Sequence, residues 1–179
     1  MGSKENLRKE YLIKRKNIKN KIEKSNIIYE KIINSEKYIN SKVIAFYKSL
    51  KDEVDTNRLI NYSLSIGKIV LLPKTYENEM NFFKIEKNEQ LIKSKFGIEE
   101  PKEDFDKLCS SEEIDLMILP GVCFDQNLNR IGFGKGYYDR YLENSNSIYK
   151  IGICFKEQIT KDILPHDTYD IKLDEIICD

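Results

Sequence analysis

The 179-residue sequence has a single histidine, His166, and only four cysteines, Cys109, Cys123, Cys154 and Cys178, none of them in a C-x-x-C pair. A zinc site of the Cys and His type needs clustered ligands, so this scarcity argues against one. The cysteines fall in or beside apolar runs and read as reduced core residues. No run approaches the eighteen or more apolar residues that span a bilayer, and the first residues lack the apolar stretch of a secretory signal. Net charge is missing too: 30 Lys and Arg balance 30 Asp and Glu. The balance is uneven along the chain. Residues 1 to 42 carry twelve basic and five acidic side chains, or +7, and the remainder eighteen and twenty-five, or −7. A basic arm therefore precedes an acidic body, and it could meet nucleic acid, the body itself or a small polyanion.

With 40% apolar residues, eleven tyrosines and 34% charged residues, the composition is that of a soluble folded chain, and the length suits one domain over residues 1–179. From Lys4 to about Asn34, Leu7, Tyr11, Ile18, Ile22, Ile28 and Ile32 recur at spacings near three, four and seven, which predicts two helices. The runs at 43–47, 68–73, 115–119, 150–155 and 173–178 read as buried strands, and 80–85 as a further extended piece. Asp55 or Thr56 can cap a helix through Leu59, Ile60, Leu64 and Ile66 that Gly67 ends. Residues 86–111 read as mixed loop and short helix, 120–125 as loop, and 137 to about 143 as a helix. Apolar strands alternating with helices predict an α/β fold, a mainly parallel sheet in three Rossmann-like layers with helices on both faces, preceded by N-terminal helices. In such sheets ligands sit beyond the carboxyl ends of the strands.

The segment Arg130-Ile131-Gly132-Phe133-Gly134-Lys135-Gly136-Tyr137-Tyr138-Asp139 carries the chemistry. Three alternate glycines let backbone amides approach a ligand and take positive φ. A helix follows, so its free N–H groups and dipole face the same space. Arg130 can fork onto phosphate oxygens and Lys135 adds a compact charge, while Asp139 could hold Mg2+ bridging phosphates. The spacing matches neither the Walker A loop, nor the dinucleotide fingerprint, nor the kinase glycine loop. A tight surface turn with solvated Arg130 and Lys135 is the plainer alternative.

As a whole, residues 119–141 (LPGVCFDQNLNRIGFGKGYYDRY) resemble the signature of the 5-formyltetrahydrofolate cyclo-ligase, or 5,10-methenyltetrahydrofolate synthetase, family. The resemblance extends to Lys4 through Arg8, to Ser49 through Thr56, to the strand ending at Pro73, to Met80 through Phe82, to Gly97 through Pro101, to His166-Asp167 and to Leu173 through Glu175. It implies a cytoplasmic, ATP-dependent ligase that converts 5-formyltetrahydrofolate to 5,10-methenyltetrahydrofolate with Mg2+, acting as a monomer and contacting neither nucleic acid nor membrane. Carried over by position, Lys4, Arg8, Arg130, Gly132, Phe133, Gly134, Lys135, Gly136, Tyr137 and Tyr138 would hold ATP. Lys48 and Glu53, with Phe133 to Tyr137, would meet the folate. Asp139 and Asp174 would bind Mg2+, and Lys135 and Arg130 would act in catalysis. Phe133 departs from members with Tyr or Arg there, which removes a polar contact at that position.

Taken alone, Lys4 and Arg8 read as solvated helix positions and Glu53 as a loop residue. Asp174 reads as a strand-edge carboxylate, Asp139 as a partner of Arg140 or Lys135, and Tyr137 and Tyr138 as packing. His166 reads as structural or substrate-rim rather than as a catalytic base. A phosphosugar isomerase or acyl-transferase relative could use such a loop without ATP. A nucleic-acid-binding module would use the basic helices but leave the glycine loop unexplained.

Overall fold

The computed structural model describes residues 3–94, 97–143, 145 and 147–179. Three helices come first: α1 (Lys4–Lys16), α2 (Lys21–Ile33) and α3 (Glu36–Asn40), followed by β1 (Val43–Ala45), α4 (Asn57–Ser65), β2 (Ile69–Thr75) and β3 (Met80–Ile85). The short strands β4 (Ile92–Lys93), β5 (Glu99–Glu100) and β6 (Leu108–Cys109) lead to β7 (Leu116–Leu119), β8 (Cys123–Asp125) and β9 (Arg130–Ile131). The chain closes with α5 (Tyr137–Leu142), β10 (Tyr149–Cys154), β11 (Ile159–Thr160) and β12 (Glu175–Cys178). A seven-stranded sheet has the order β12-β10-β7-β1-β2-β3-β6, parallel from β12 to β2, with β3 and β6 antiparallel at one edge.

The strands are continuously apolar because both sheet faces are covered. Successive side chains alternate between them. Ile44, Val70, Leu72, Leu116, Ile118, Ile151 and Ile153 pack under Ile28 and Ile32 of α2, Tyr38 of α3 and Leu59 and Ile60 of α4. Ala45, Leu71, Met117 and Leu119 face the other way, against Phe82, Phe124, Leu142 and Leu173. Each such buried aliphatic side chain contributes about 1.5–3 kcal/mol. The second face is thus covered by the short α5 and by a small sheet, β11-β8-β9, rather than by a row of helices.

Helix α1 is capped by Ser3, whose side chain accepts from Asn6 N–H. Its Leu7, Tyr11 and Leu12 pack on Val122, Cys123, Ile131 and Leu164, which docks the helix on the small sheet. Both N-terminal helices fall where periodicity predicts them. Ile22, expected on the buried stripe, is 82% exposed, because it lies in the first turn of α2 just after the chain reverses at Asn20. Two other expectations change. Residues 123–125 form β8 rather than loop, since Cys123 and Phe124 pair with Ile131 and Arg130. The 86–111 region forms short strands and 3-10 turns, with no α-helix among its described residues.

Candidate functional site

Beyond the carboxyl ends of β1, β7 and β10 lie the segments 46–56, 120–136 and 155–170, and these build the site. The turn between β8 and β9 is organised by Asp125, a buried carboxylate that accepts from Asn127 N–H and Asn129 N–H, each at 2.9 Å. It also accepts Leu164 N–H at 2.9 Å, which ties the 155–170 segment to the same turn. Burial alone would raise the Asp125 pKa, but this set of donors outweighs it and holds the carboxyl low. Gln158 completes the frame by donating to the carbonyls of Gly121 and Val122 at 3.0 and 3.1 Å.

From that frame β9 delivers Arg130 and the glycine loop. Gly134 and Gly136 have φ of 94° and 66°, where a side chain would be strained. Each of the three glycines lies against a guanidinium. A Cβ at Gly132 would stand 3.1 Å from Arg130 Nη1, at Gly134 3.1 Å from Arg8 Cζ, and at Gly136 2.7 Å from Arg140 Nη1. Arg8 also donates through Nε to Gly132 O at 2.8 Å, so α1 physically closes on the loop. Lys135, at the tip, is exposed and has no hydrogen bond or ion pair among the described residues. Helix α5 spans only six residues, shorter than expected, so its dipole adds little and the cations dominate.

Arg130 is nearly buried, with its side chain 4% exposed. Its Nη2 donates to Asp139 Oδ1 at 2.9 Å, its guanidinium lies 5.7 Å from the Tyr138 ring centre, and its buried Nε has no partner. Tyr137 donates its hydroxyl to Tyr76 O at 3.0 Å and Arg140 donates to Asn78 O at 3.0 Å, which clamps the start of α5 to the turn between β2 and β3.

The second carboxylate beside this cluster is Asp170. Asp139 Oδ1 also accepts Ile171 N–H at 3.3 Å, which brings residues 170–171 alongside. Asp170 accepts from Lys4 Nζ and lies within the field of Arg130; burial opposes, but these positive neighbours keep its pKa below the ordinary value. Burial would lower the Lys4 pKa, but Asp167, at 2.6 Å, and Asp170 together raise it. Asp174, expected with Asp139 to bind Mg2+, stands elsewhere in this structure. Its Oδ2 accepts Lys150 N–H at 2.7 Å and pairs with Lys150 Nζ at 2.8 Å, at the amino end of the parallel strands. Asp115 does the same for Lys42 N–H and Val43 N–H at the start of β1. Both carboxylates cap strand starts, facing away from the glycine loop.

On the other side of the loop, Glu53 is buried between Arg15 Nη1, at 3.4 Å, and Leu50 N–H, at 2.8 Å. Burial pushes its pKa up, and the Arg15 charge and the Leu50 hydrogen bond only partly offset this. Burial likewise raises the phenols of Tyr47 and Tyr138 beside it. Lys48 donates to Asn57 Oδ1 at 2.6 Å and pairs with Glu99 at 3.1 Å, so the loop after β1 is tied to α4 and β5. Phe133, half exposed, lies 5.1 Å from the Arg15 guanidinium. His166 is exposed, with Nδ1 3.4 Å from Leu164 O, and has no titratable partner in hydrogen-bond range among the described residues.

Arg8, Arg130, Gly132, Gly134, Gly136 and Asp139 are therefore brought together, Lys4 joins them through Asp170, and Glu53 and Lys48 line the neighbouring wall. The expectation from sequence missed three residues. Asp170 carries no local signal that separates it from Asp167 and Asp174. Arg140 lies four residues after Gly136, one helical turn on, so α5 itself leans its side chain back onto that glycine. Arg15 did leave a signal: it falls four residues after Tyr11, on the buried stripe of α1, where an apolar residue is the rule.

Among the described residues no helix is long and apolar enough to cross a membrane. The model of the 5-formyltetrahydrofolate cyclo-ligase family matches residues 1–179. A Schizosaccharomyces pombe protein named "Probable 5-formyltetrahydrofolate cyclo-ligase" is 36% identical over 165 residues, covering 84% of this chain and 81% of its own. The 5-formyltetrahydrofolate cyclo-ligase of Mus musculus is 34% identical over 169 residues, covering 88% and 83%. The NMR structure of Aquifex aeolicus 5,10-methenyltetrahydrofolate synthetase superposes with a TM-score of 0.85 at 34% identity, over 97% of this chain and 88% of that one. With a full-length family match, relatives above 30% identity and the same fold, the chain belongs to the 5-formyltetrahydrofolate cyclo-ligase family and is a ligase.

Proposed function

We propose that residues 1–179 act as one cytoplasmic enzyme that cyclises 5-formyltetrahydrofolate to 5,10-methenyltetrahydrofolate, consuming MgATP and releasing ADP and phosphate. The observation that carries the nucleotide half of this reading is the loop at 132–136. Three glycines abut three guanidiniums and Lys135 has no partner among the described residues, which suits a cradle for polyphosphate oxygens. Four unpaired thiols, two of them buried, suit a reducing compartment.

The formyl oxygen is a poor leaving group. In the reaction we infer, it attacks the γ-phosphorus, the bond to the β-phosphate oxygen breaks, and ADP departs. N10 then adds to the activated formyl carbon and gives up its proton, and the carbon–oxygen bond breaks to release phosphate. Positioning and charge neutralisation dominate such a transfer. Lys135, Arg130, Arg8 and the loop amides would hold the phosphates in line, and Lys4 would orient Asp170. Tyr137 and Tyr138 would form the floor where nucleotide and folate meet, and Glu53 with Lys48 would hold the folate. No protein nucleophile is required. Asp139 and Asp170 suit Mg2+, which takes one or two carboxylates and completes its shell with phosphate oxygens and water; the ion would supply charge neutralisation on the phosphates. Asp139 Oδ2 makes no hydrogen bond among the described residues, which leaves it for that purpose.

The test is direct. Purified protein mixed with 5-formyltetrahydrofolate and MgATP is followed by the absorbance of the methenyl product, with ADP measured in parallel. Product and ADP should form in equal amounts, and each should vanish when either substrate is left out. Methenyl formation without ATP, or none at all with both substrates, would refute the proposal.

A further inference from the structure

Arg15 is the buried arginine of α1: it is 5% exposed, and its Nε has no partner among the described residues. A guanidinium has five N–H donors. Here a single long hydrogen bond, 3.4 Å to Glu53 Oε1, is all that engages them among the described residues. A buried cation with most of its donors idle is costly as pure architecture, since replacing such an ion pair by apolar side chains is often neutral or stabilising. Its position suggests another use. One side of the guanidinium meets Glu53, on the wall after β1, and the other lies against the ring of Phe133, in the glycine loop, at 5.1 Å. Arg15 is therefore the side chain that touches both halves of the site at once.

We infer that Arg15 is a positioning residue that couples the two halves: it seats the Glu53 carboxylate for the folate and braces Phe133, so that nucleotide on the glycine loop tightens the folate site. This rests on the assignment of nucleotide and folate to those halves. The physical chain is short. Phosphate oxygens settling on the loop draw Lys135 and the backbone at 132–136 toward them, and Phe133 moves with its neighbours. The guanidinium lying 5.1 Å from the centre of that ring turns with it and carries the Glu53 carboxylate, to which it is the only cation in hydrogen-bond range among the described residues. Glu53 cannot follow a different partner, because its other oxygen is held by Leu50 N–H within the same loop. A lysine at position 15 could satisfy the charge but lacks the flat face that stacks on a ring.

The measurement is the affinity for 5-formyltetrahydrofolate by calorimetry with and without the Mg2+ complex of β,γ-methylene-ATP, together with KM and kcat for both substrates. In the wild-type chain the analogue should strengthen folate binding about tenfold, within the range usual for coupled sites, and folate should strengthen analogue binding by the same factor. Arg15→Met should raise the folate KM more than the ATP KM and bring the coupling factor to about one. Arg15→Lys should recover folate affinity while leaving the coupling weak, a split that a purely architectural arginine would not produce. Phe133→Leu should weaken the coupling from the opposite side. Folded Arg15→Met with coupling and folate KM at wild-type levels would overturn the inference; should that variant fail to fold, wild-type coupling in Arg15→Lys would do so. If the unaltered chain binds both ligands without coupling, the inference falls alone; if it binds neither, the assignment of the two halves falls with it.

Discussion

The basic arm and the glycine loop are the two cationic regions of this molecule, and they differ in whether their charges already have partners. In the arm, Lys4 pairs with Asp167 and Asp170, Lys21 with Asp52, and Lys24 with Glu157 and Asp179, so much of its positive charge is spent on the acidic body. In the loop, Lys135 meets no carboxylate among the described residues, and of the three guanidiniums against the glycines only Arg130 pairs with one, Asp139. A count of charges would rank the arm as the anion site. What matters is which cations still lack anions, because a satisfied ion pair attracts little more.

The sharpest way to break this contrast is Lys135→Ala. It should lower kcat by about 10²–10³, the usual loss of one group that stabilises transferring charge. Its stability should stay within about 0.5 kcal/mol of the original, since an exposed side chain contributes little packing. The methenyl absorbance assay and thermal melting measure the two together, and full activity in the variant would remove the loop from the chemistry.

A smaller effect separates the two ends of the sheet. Asp170→Asn should reduce turnover about 10–100-fold and raise the Mg2+ concentration needed for half-maximal rate. Asp174→Asn should leave both in place and lower stability by about 1 kcal/mol, through the bonds to Lys150 at the strand start. Turnover measured across a Mg2+ titration in both variants discriminates them. Equal losses would mean that the carboxyl-end assignment is wrong.

The smallest effect lies in the arm. Lys24→Met should cost about 0.5–1 kcal/mol and leave kcat alone, because Lys24 holds Asp179 and Glu157 far from the loop. Burial acts to raise the Asp179 pKa, yet the hydrogen bonds from Lys24 and Lys156 N–H prevail and depress it. A depressed carboxylate contributes fully at neutral pH, and its contribution is lost as pH falls through the folded-state value. The stability gap between wild type and variant should therefore narrow below about pH 4 in denaturant titrations; a gap that widened there would refute the pairing.

Much of the fold was legible from residue order. The runs around Ile44, Val70, Met117 and Ile151 are strands buried on both faces, and short unbroken apolar runs rich in β-branched residues carry that signal without tertiary context. The 86–111 region was not, because its short strands exist only through their pairing, as Cys109 with Phe82 and Glu100 with Ile92. Within the site, Gly134, Lys135 and Gly136 announced themselves by composition and spacing. The placement of Asp170 and Asp174 was not legible: carboxylates at 167, 170 and 174 look alike until the fold puts Lys4 beside the first two and Lys150 beside the third.

Residue order by itself determined the helices and strands and the existence of a side-chain-poor cationic loop, since periodicity and positive φ depend on chain neighbours alone. The tertiary structure decided which distant charges meet that loop. Arg8 and Arg15 arrive because Tyr11 docks α1 on the small sheet, and Asp170 arrives because Asp125 and Asp139 each accept an N–H from the returning segment. Those meetings join residues 32 to 124 positions apart, and no local pattern encodes a distance that only strand order and packing create.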